Sequence, residues 1–206
     1  MFRESERIVF KIDDSGQGNG VFIFDRNTFN PDAIRALGNG VMQRFIEQHP
    51  VLAAFAPKSV ATLRITTVVD DAGRISVRAC FVRFGRAQDT HVKGESDVCV
   101  PVDLATGRLG RYGYVKSWLQ ATEHPDSKVP FDGITVPSFA SCIQKALDLH
   151  RRIPFARCIG WDLTVDAEGN AQVLEWNGEH NDVKFGEVTQ GPCFADLQWE
   201  RLKHAY

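Results

Sequence analysis

Apolar and polar residues alternate with a period of two near the start of the chain. Apolar side chains fall at Ile8, Phe10 and Ile12, which places Lys11 on the opposite face. A period of two is typical of a half-buried strand, and the apolar run at residues 21–24 predicts a second strand after a glycine-rich loop.

Three short elements follow this strand pair. Asn30 before Pro31 is typical of a helix start, with the asparagine as cap and the proline in the first turn. Residues 41–46 then predict a short strand, and residues 50–56 predict a short helix.

The middle of the chain has a long β pattern. Segments 61–70 and 75–84 alternate cleanly on either side of an Asp-Asp-Ala-Gly turn, which predicts a hairpin. Segments 97–104 and 108–117, separated by an Ala-Thr-Gly turn, predict a further strand pair.

The last part of the chain combines helices with another hairpin. Residues 120–134 are polar and predict a surface loop, whereas the apolar positions of residues 137–153 fall mostly on one helical face. Segments 158–165 and 171–177 predict a hairpin, and residues 196–203 a short helix. The whole pattern indicates an α+β fold of antiparallel sheets with packed helices.

Composition narrows the classes of protein that fit this chain. Its 206 residues, 43% of them hydrophobic, suffice for the core of one domain or of two closely joined lobes. The net charge of −2 gives no basic excess, so nucleic-acid binding is not expected. No apolar run approaches the ~20 residues that span a bilayer, so no membrane span is expected.

Two features of the sequence predict a cytoplasmic protein. The first ten residues are charged and lack the apolar core of a secretion signal. The five cysteines are scattered without a CxxC pair, which favours reduced thiols and disfavours a structural zinc site.

The last predicted hairpin brings polar side chains to one face. If Asp166 and Ala171 pair across its turn, Asp162 lies opposite Glu175, and Asn177 shares their face. The flanking apolar residues then face the core: Trp161, Leu163, Leu174 and Trp176.

This polar face predicts a metal site. Directly opposed like charges destabilise a sheet, and a hard divalent cation removes that repulsion. Carboxylate and amide oxygens are what Mg²⁺ prefers. The other interpretation is that these side chains cap the sheet or pair with lysine and arginine, and the sequence leaves both open.

The glycine-rich loop between the first two strands is a candidate phosphate site. Glycines let backbone N–H groups approach a polyphosphate closely, and Lys11 precedes the loop on its strand. The loop does not match the Walker pattern and no helix follows it, so a simple turn is the alternative. The phosphate candidates are Lys11, Ser15, Gly16, Gly18 and Gly20.

Two arginines and two histidines are further candidates. Arg64 lies in the middle of one predicted strand, and Arg86 follows the end of the next. Such arginines pair with carboxylates or bind phosphoryl oxygens. His49 and His91 are candidate general bases, with a surface or core role as the alternative. No Ser-His-Asp or Cys-His arrangement supports nucleophilic hydrolysis.

These segments together resemble the ATP-grasp ligases, most nearly the sugar-transfer-associated ATP-grasp family. A lysine-bearing strand, the glycine-rich loop, QRFIEQHP, TLRI, VDLATGRL, GWDLTV and LEWN follow one another in the family's order. The resemblance spans roughly residues 8–193, and its most specific parts are TLRI, GWD and the E-x-N of LEWN.

The resemblance implies an ATP-grasp-like fold with a nucleotide cleft. It implies a single domain over residues 1–206, with a partial nucleotide-binding lobe over residues 1–57 and a metal-binding lobe over residues 58–206. Residues 43–46 would be the hinge that meets the adenine, and Glu47 the acid near the ribose. The implied nucleotide contacts are Lys11, Ser15, Gly16, Gly18, Gly20, Gln43, Phe45, Ile46 and Glu47.

The resemblance also implies a reaction. Arg64 and Arg86 would face the transferred phosphoryl group, and Asp162, Glu175 and Asn177 would bind Mg²⁺. ATP would activate a small-molecule carboxylate as an acyl phosphate, which an amine or another nucleophile then attacks. The family's setting is cell-surface polysaccharide or small-molecule biosynthesis.

Two departures from the family pattern open an alternative. The chain begins almost at the Lys11 strand, so we expect the upstream lobe to be absent or supplied by another chain. Thr90 and Glu95 stand where relatives have asparagine and glycine. The alternatives to a ligase are therefore a nucleotide-binding or regulatory module without ligase activity, or a structural domain.

Overall fold

The computed structural model of the chain describes residues 5–13, 20–86, 89–92, 96–179 and 181–204. The strands are β1 (Arg7–Ile12), β2 (Val21–Asp25), β3 (Gly40–Arg44), β4 (Thr62–Val69), β5 (Ile75–Phe84), β6 (Val98–Pro101), β7 (Gly113–Tyr114), β8 (Gln120–Ala121), β9 (Cys158–Val165) and β10 (Ala171–Asn177). The α-helices are α1 (Pro31–Ala36), α2 (Pro50–Ala53), α3 (Phe139–His150) and α4 (Val183–Gln190). Short 3₁₀ segments lie at Lys116–Trp118, Ala195–Leu197 and Trp199–His204.

The strands form two antiparallel sheets, which confirms the predicted α+β class. One sheet has three strands in the order β2-β1-β3, and the other has seven in the order β10-β9-β4-β5-β6-β7-β8. Among the described residues, no helix has the length and apolar character needed to cross a membrane.

The small sheet separates its faces as the alternation in β1 predicts. Ile8 and Phe10 are buried, whereas Val9 and Lys11 line a cleft on the other face. Ile12, predicted on the buried face, is only half-buried and also lines the cleft at the end of the strand.

The helix after β2 starts as its sequence predicts. The Asn30 side chain accepts hydrogen bonds from the backbone N–H groups of Asp32 and Ala33, and Pro31 occupies the first turn. This cap satisfies donors that have no partner within the helix. The helix ends before Gly38, which adopts a positive φ.

The core lies around the large sheet. Every residue of β4 is buried, and α3 packs against β4, β5 and β9. Phe55 stacks on Phe84 with ring centroids 4.2 Å apart and on Phe131 at 5.8 Å. These rings come from three separate segments and pack the last residue of β5 against the segments that carry Phe55 and Phe131.

The connection between the sheets is fastened to the last hairpin. The carbonyl of Glu47 accepts a hydrogen bond of 2.8 Å from Ala167 N, and His49 N donates to Val165 O at 2.9 Å. The segment at residues 45–49 therefore has a fixed path along the β9–β10 turn.

Residues 120–134 are less exposed than the predicted surface loop. They contain β8, and His124 and Phe131 are buried. His124 accepts hydrogen bonds at Nδ1 from the backbone N–H groups of Asp126 and Ser127, while its Nε2 donates to Gly85 O. These polar contacts let a mostly polar segment enter the core.

The second half of the chain differs from the sequence prediction in two features. In the described residues, β6 and β7 meet at Cys99 and Tyr114, so this strand pair is shorter than predicted. The helix α4 was not predicted at all. This helix approaches β5 closely. A Cβ atom added at Gly186 would lie only 2.7 Å from the Cβ of Ala79.

Candidate functional site

A cleft of about 1750 Å³ lies between the two sheets. Its walls come from β1, β2 and β3 on one side and from β4, β5, β6, β9 and β10 on the other, with residues 45–47 along the connection. The predicted site residues that line it are Lys11, Gln43, Phe45, Ile46, Glu47, Arg64, Asp162, Glu175 and Asn177.

The pairing of β9 with β10 brings the predicted polar residues together, although its register at the turn differs from the one assumed from the sequence. Asp162 pairs with Glu175, as predicted. The pairing assumed at the turn is wrong, because Ala171 pairs with Val165, and an irregularity between Val173 and Glu175 shifts the register by one residue. A bulge of this kind resets the alternation of faces.

The same bulge changes what the apolar side chains of β10 do. Trp176 is 49% exposed and lines the cleft, so the prediction that it packs into the core is wrong. Since β10 is the edge strand of its sheet, no further strand of the described chain covers it there.

Asp162 is held by a buried ion pair. Arg64 Nε lies 2.6 Å from Asp162 Oδ1, and Arg64 Nη2 lies 3.1 Å from Oδ2. Arg64 Nη1 donates to Asp182 at 3.0 Å. Burial disfavours the guanidinium charge, but the hydrogen bonds and charges of these carboxylates outweigh it and raise the pKa of Arg64.

Glu175 also has a basic neighbour. Lys11 Nζ lies 3.8 Å from Glu175 Oε2 and donates to the carbonyl of Leu174 at 3.4 Å. Asn177 Nδ2 lies 3.4 Å from Asp162 Oδ2. The lysine and arginine partners that the sequence left open are therefore present in the structure.

The donor chemistry of this face fits a hard cation. Asp162, Glu175 and Asn177 line one cleft with carboxylate and amide groups, whose oxygens are the ligands that Mg²⁺ prefers. In this structure both Asp162 oxygens contact Arg64, and Asn177 presents Nδ2 to Asp162. No group of three or more His, Cys, Asp or Glu side chains arranged for a metal occurs in the described ranges. The predicted set has two carboxylates and an amide, so its role as a metal site remains a prediction.

The predicted hinge lies along the cleft and is stiffened by Arg7. The Arg7 guanidinium carbon stands 3.7 Å from the centre of the Phe45 ring, and its Nη2 donates to Glu47 at 2.9 Å. One cation thus contacts both the Glu47 carboxylate and the Phe45 ring.

Only Gly20 of the predicted glycine loop lies within the described residues. Ser15, Gly16 and Gly18 lie outside the described residues. Gly20 adopts a positive φ of 76° and its carbonyl accepts from Ile12 N at 2.9 Å, which closes the loop onto β1. Gly20 does not line the cleft.

The two predicted arginines differ in position. Arg64 lines the cleft, whereas Arg86 does not and makes a two-point contact with Asp126 at 2.8 and 3.0 Å. Arg83, which the sequence prediction overlooked, lines the cleft and binds Asp97 at 2.6 Å. Arg83 pairs with Thr62 because an irregularity between Thr66 and Thr67 shifts the register of β4 and β5 by one residue, which the hairpin alternation does not reveal.

Burial and their mutual attraction shift the pKa values of Arg83 and Asp97. Burial raises the pKa of the Asp97 carboxyl, and the Arg83 charge opposes that shift. Burial also disfavours the Arg83 charge, but Asp97 outweighs it and raises the pKa of the guanidinium. The pair adds a second fixed ionic contact to the cleft wall.

The two candidate histidines are also separated by the structure. His91 lines the cleft and its Nδ1 lies 3.1 Å from Thr90 Oγ1. His49 does not line it and caps α2, where its Nδ1 accepts from Val51 N at 3.2 Å. The structural role is therefore the one observed for His49.

A family model described as sugar-transfer-associated ATP-grasp matches residues 34–200. No curated protein matches the chain. The matched residues, 34–200, include the connection between the sheets, the whole large sheet and most of the residues that line the cleft.

Solved structures of two ligases and a synthetase share the fold at low sequence identity. An L-amino acid ligase from Bacillus licheniformis is 12% identical, with a TM-score of 0.53, over 89% of this chain and 34% of that chain. An ADP complex of N5-carboxyaminoimidazole ribonucleotide synthetase is 14% identical, with a TM-score of 0.52, over 92% of this chain and 38% of that chain.

A third similar structure is the ATP-grasp ligase PsnB complexed with a minimal precursor. It is 14% identical, with a TM-score of 0.50, over 95% of this chain and 49% of that chain. The chain thus spans between a third and a half of the length of these three structures, and at such identities the likeness concerns the fold.

Proposed function

The chain belongs to the sugar-transfer-associated ATP-grasp family, and from this premise we propose that its cleft binds Mg-ATP and activates a carboxylate. One observation carries the proposal. Basic side chains, carboxylates and the connecting segment, drawn from both sheets, line a single cleft. The ADP-bound fold neighbour supports a nucleotide as the occupant.

The proposed roles follow the chemistry of each side chain. Residues 43–47 receive the adenine and ribose, and Lys11 binds phosphate oxygens together with the loop of Ser15, Gly16, Gly18 and Gly20. The proposed Mg²⁺ ligands are Asp162, Glu175 and Asn177. When bound, the ion neutralises charge on the phosphate oxygens.

The basic residues of the cleft exchange partners in this proposal. Lys11 and Glu175 form a long, partly exposed ion pair of 3.8 Å. Such a pair contributes little free energy, so a phosphate oxygen can replace Glu175 as the partner of Lys11. Arg64 keeps its buried Asp162, and its Nη1 exchanges Asp182, which is half exposed, for an oxygen of the transferred phosphoryl group. Arg86 acts at this step only if it leaves Asp126.

The proposed reaction has two steps, phosphoryl transfer to the carboxylate and attack by a nucleophile. A carboxylate oxygen forms a bond to the γ-phosphorus while the bond to the β–γ bridging oxygen breaks, which yields an acyl phosphate and ADP. An amine or another nucleophile then attacks the carbonyl carbon and releases phosphate. Fixed cations that neutralise the developing charge contribute most of the rate in such reactions.

A second candidate function is a nucleotide-binding or regulatory module without ligase activity. It is favoured by the position of Arg86, which does not line the cleft and pairs with Asp126. In this case the bound nucleotide has a regulatory role.

The biological setting is also part of the proposal. We propose a role in cell-surface polysaccharide or small-molecule biosynthesis, and the association with sugar transfer in the family description is its support. All five cysteines are free thiols, which supports the cytoplasm, where thiols remain reduced.

Thermal-shift and ADP-release measurements test these proposals. Mg-ATP should raise the melting temperature of the wild type. Glu175→Gln should lose the Mg²⁺-dependent part of that rise, while Glu123→Gln, which removes an exposed carboxylate paired with Lys128, should keep it. ADP release that depends on an added carboxylic acid supports the ligase, and Mg-ATP binding without release supports the regulatory module.

A further inference from the structure

Four aromatic rings form a cluster at one end of the cleft. Trp118 stacks on Phe185 with centroids 5.8 Å apart and an interplanar angle of 16°. Tyr114 meets both rings edge-on at 5.9 and 5.7 Å, and Phe81 contacts Phe185 at 4.5 Å. We call these four residues the aromatic platform.

The platform belongs to the cleft and remains partly open. Phe81, Trp118 and Phe185 line the cleft, and 41% of Trp118 is exposed. Monomeric proteins seldom expose stacked aromatic rings at the wall of a polar cavity, because burial of aromatic side chains is favourable. The nucleotide roles proposed for residues 43–47 and Lys11 do not use this end.

The backbone that carries Trp118 is strained. Ser117 and Trp118 have φ values of 68° and 64°, a left-handed conformation that is costly for residues with a side chain. Strained residues of this kind cluster at ligand sites, where the surrounding structure holds them. Here the turn is held by a hydrogen bond of 2.9 Å from Val115 N to Leu119 O.

A cation stands beside the platform. Lys184 Nζ lies 5.9 Å from the centre of the Trp118 ring and lines the cleft. Within the described part of the chain, no carboxylate lies within ion-pair distance of Lys184, whereas Arg83 and Arg64 have carboxylate partners. Lys184 therefore adds positive charge to the aromatic end of the cleft.

We infer that the carboxylic acid taken by this cleft carries an aromatic ring, which packs against Trp118 and Phe185 while Lys184 attracts its carboxylate. The inference rests on the proposed ligase function for its second step, the delivery of that carboxylate to the phosphoryl group. Asp182, which binds Arg64, lies two residues before Lys184, so the cation and the proposed phosphoryl site share one short segment.

A panel of matched probes tests the subsite without nucleotide. Saturation-transfer NMR and calorimetry would compare aryl acids, such as phenylacetate, 3-phenylpropionate and indole-3-propionate, with their amides and with propionate. The amides lack the charge and propionate lacks the ring. Wild-type protein should bind at least one aryl acid more tightly than its amide and more tightly than propionate.

Variants then connect the binding to named residues. Trp118→Leu keeps an apolar side chain and removes the ring, and it should weaken aryl-acid binding roughly 3- to 10-fold. Lys184→Gln should weaken it about 2- to 5-fold and leave binding of the amide unchanged. Phe155→Leu, at an exposed position outside the cleft, is the control and should change neither.

The outcomes separate this inference from the proposed function. If no aryl acid binds, or if Trp118→Leu binds as wild type does, the inference is overturned even when Mg-ATP still raises the melting temperature. If ring-dependent binding occurs without any Mg-ATP effect, the subsite stands and the ligase proposal fails. Unchanged thermal unfolding of Trp118→Leu shows that a loss of binding does not come from misfolding.

Discussion

Arg64 and Asp162 are direct cross-strand partners on β4 and β9, and they form a two-point ion pair with both side chains about 4% exposed. Asp162 also faces Glu175 on β10. The pair therefore joins the core of the large sheet to the polar wall of the cleft. A residue proposed to bind metal is at the same time a structural counter-ion.

Asp162→Asn should destabilise the chain by about 3 kcal/mol or more, because it leaves a buried guanidinium with one fewer carboxylate. Urea unfolding measures the loss. The matched control is Asp71→Asn, since Asp71 pairs with Arg157 at the surface, and it should change stability by at most about 0.5 kcal/mol. Equal effects of the two substitutions would contradict the buried pair.

Lys11→Ala should weaken Mg-ATP binding roughly 10- to 100-fold, because charge-assisted contacts to phosphate are lost. Calorimetry measures the affinity. Lys128→Ala removes a lysine that pairs with Glu123 outside the cleft, and it should leave the affinity unchanged. Unaltered affinity of Lys11→Ala would remove Lys11 from the phosphate site.

Stability should fall as the pH drops below about 6.5, the ordinary pKa of histidine. Burial lowers the pKa values of His124 and His150, so the unfolded chain binds more protons in this window. Stability from these groups is complete above pH 6.5 and is lost as the pH falls toward their folded pKa values.

The contacts of His150 explain why its neutral form is required. Its Nε2 donates to Ala156 O at 2.8 Å, and its Nδ1 accepts from Thr67 Oγ1 at 2.6 Å. Trp161 Nε1 in turn donates to Thr67 Oγ1 at 2.8 Å. Urea midpoints at pH 7.5 and 5.5 provide the measurement, and His150→Gln should show a smaller difference than wild type. Equal differences would exclude His150 as a cause.

Gly186→Ala should destabilise the chain by about 1–3 kcal/mol although alanine favours a helix, because the new Cβ would lie 2.7 Å from that of Ala79. The helix α4 must then shift. Gly178→Ala, whose Cβ meets Trp176 at an ordinary 3.5 Å, is the control. Thermal unfolding compares the two, and a stabilised Gly186→Ala would contradict the close packing of α4 on β5.

Several parts of the fold followed from local pattern. The period of two placed Lys11 on the cleft side of β1, and the turn between β4 and β5 was explicit in the sequence. Asn30 and Pro31 located the start of α1. The pairing of Asp162 with Glu175 was also predicted correctly, although the bulge beside Glu175 compensated for a wrong register at the turn.

By itself the sequence determined most of the strands and the polar faces of β1 and β9, because alternation is a local property of the backbone, whereas the bulge in β10 changed which of its side chains are buried. Only the tertiary structure decided that Arg83 and not Arg86 lines the cleft, that His124 and Phe131 enter the core, and that Trp118 meets Phe185. These facts depend on contacts between segments far apart in the chain, which no local period encodes.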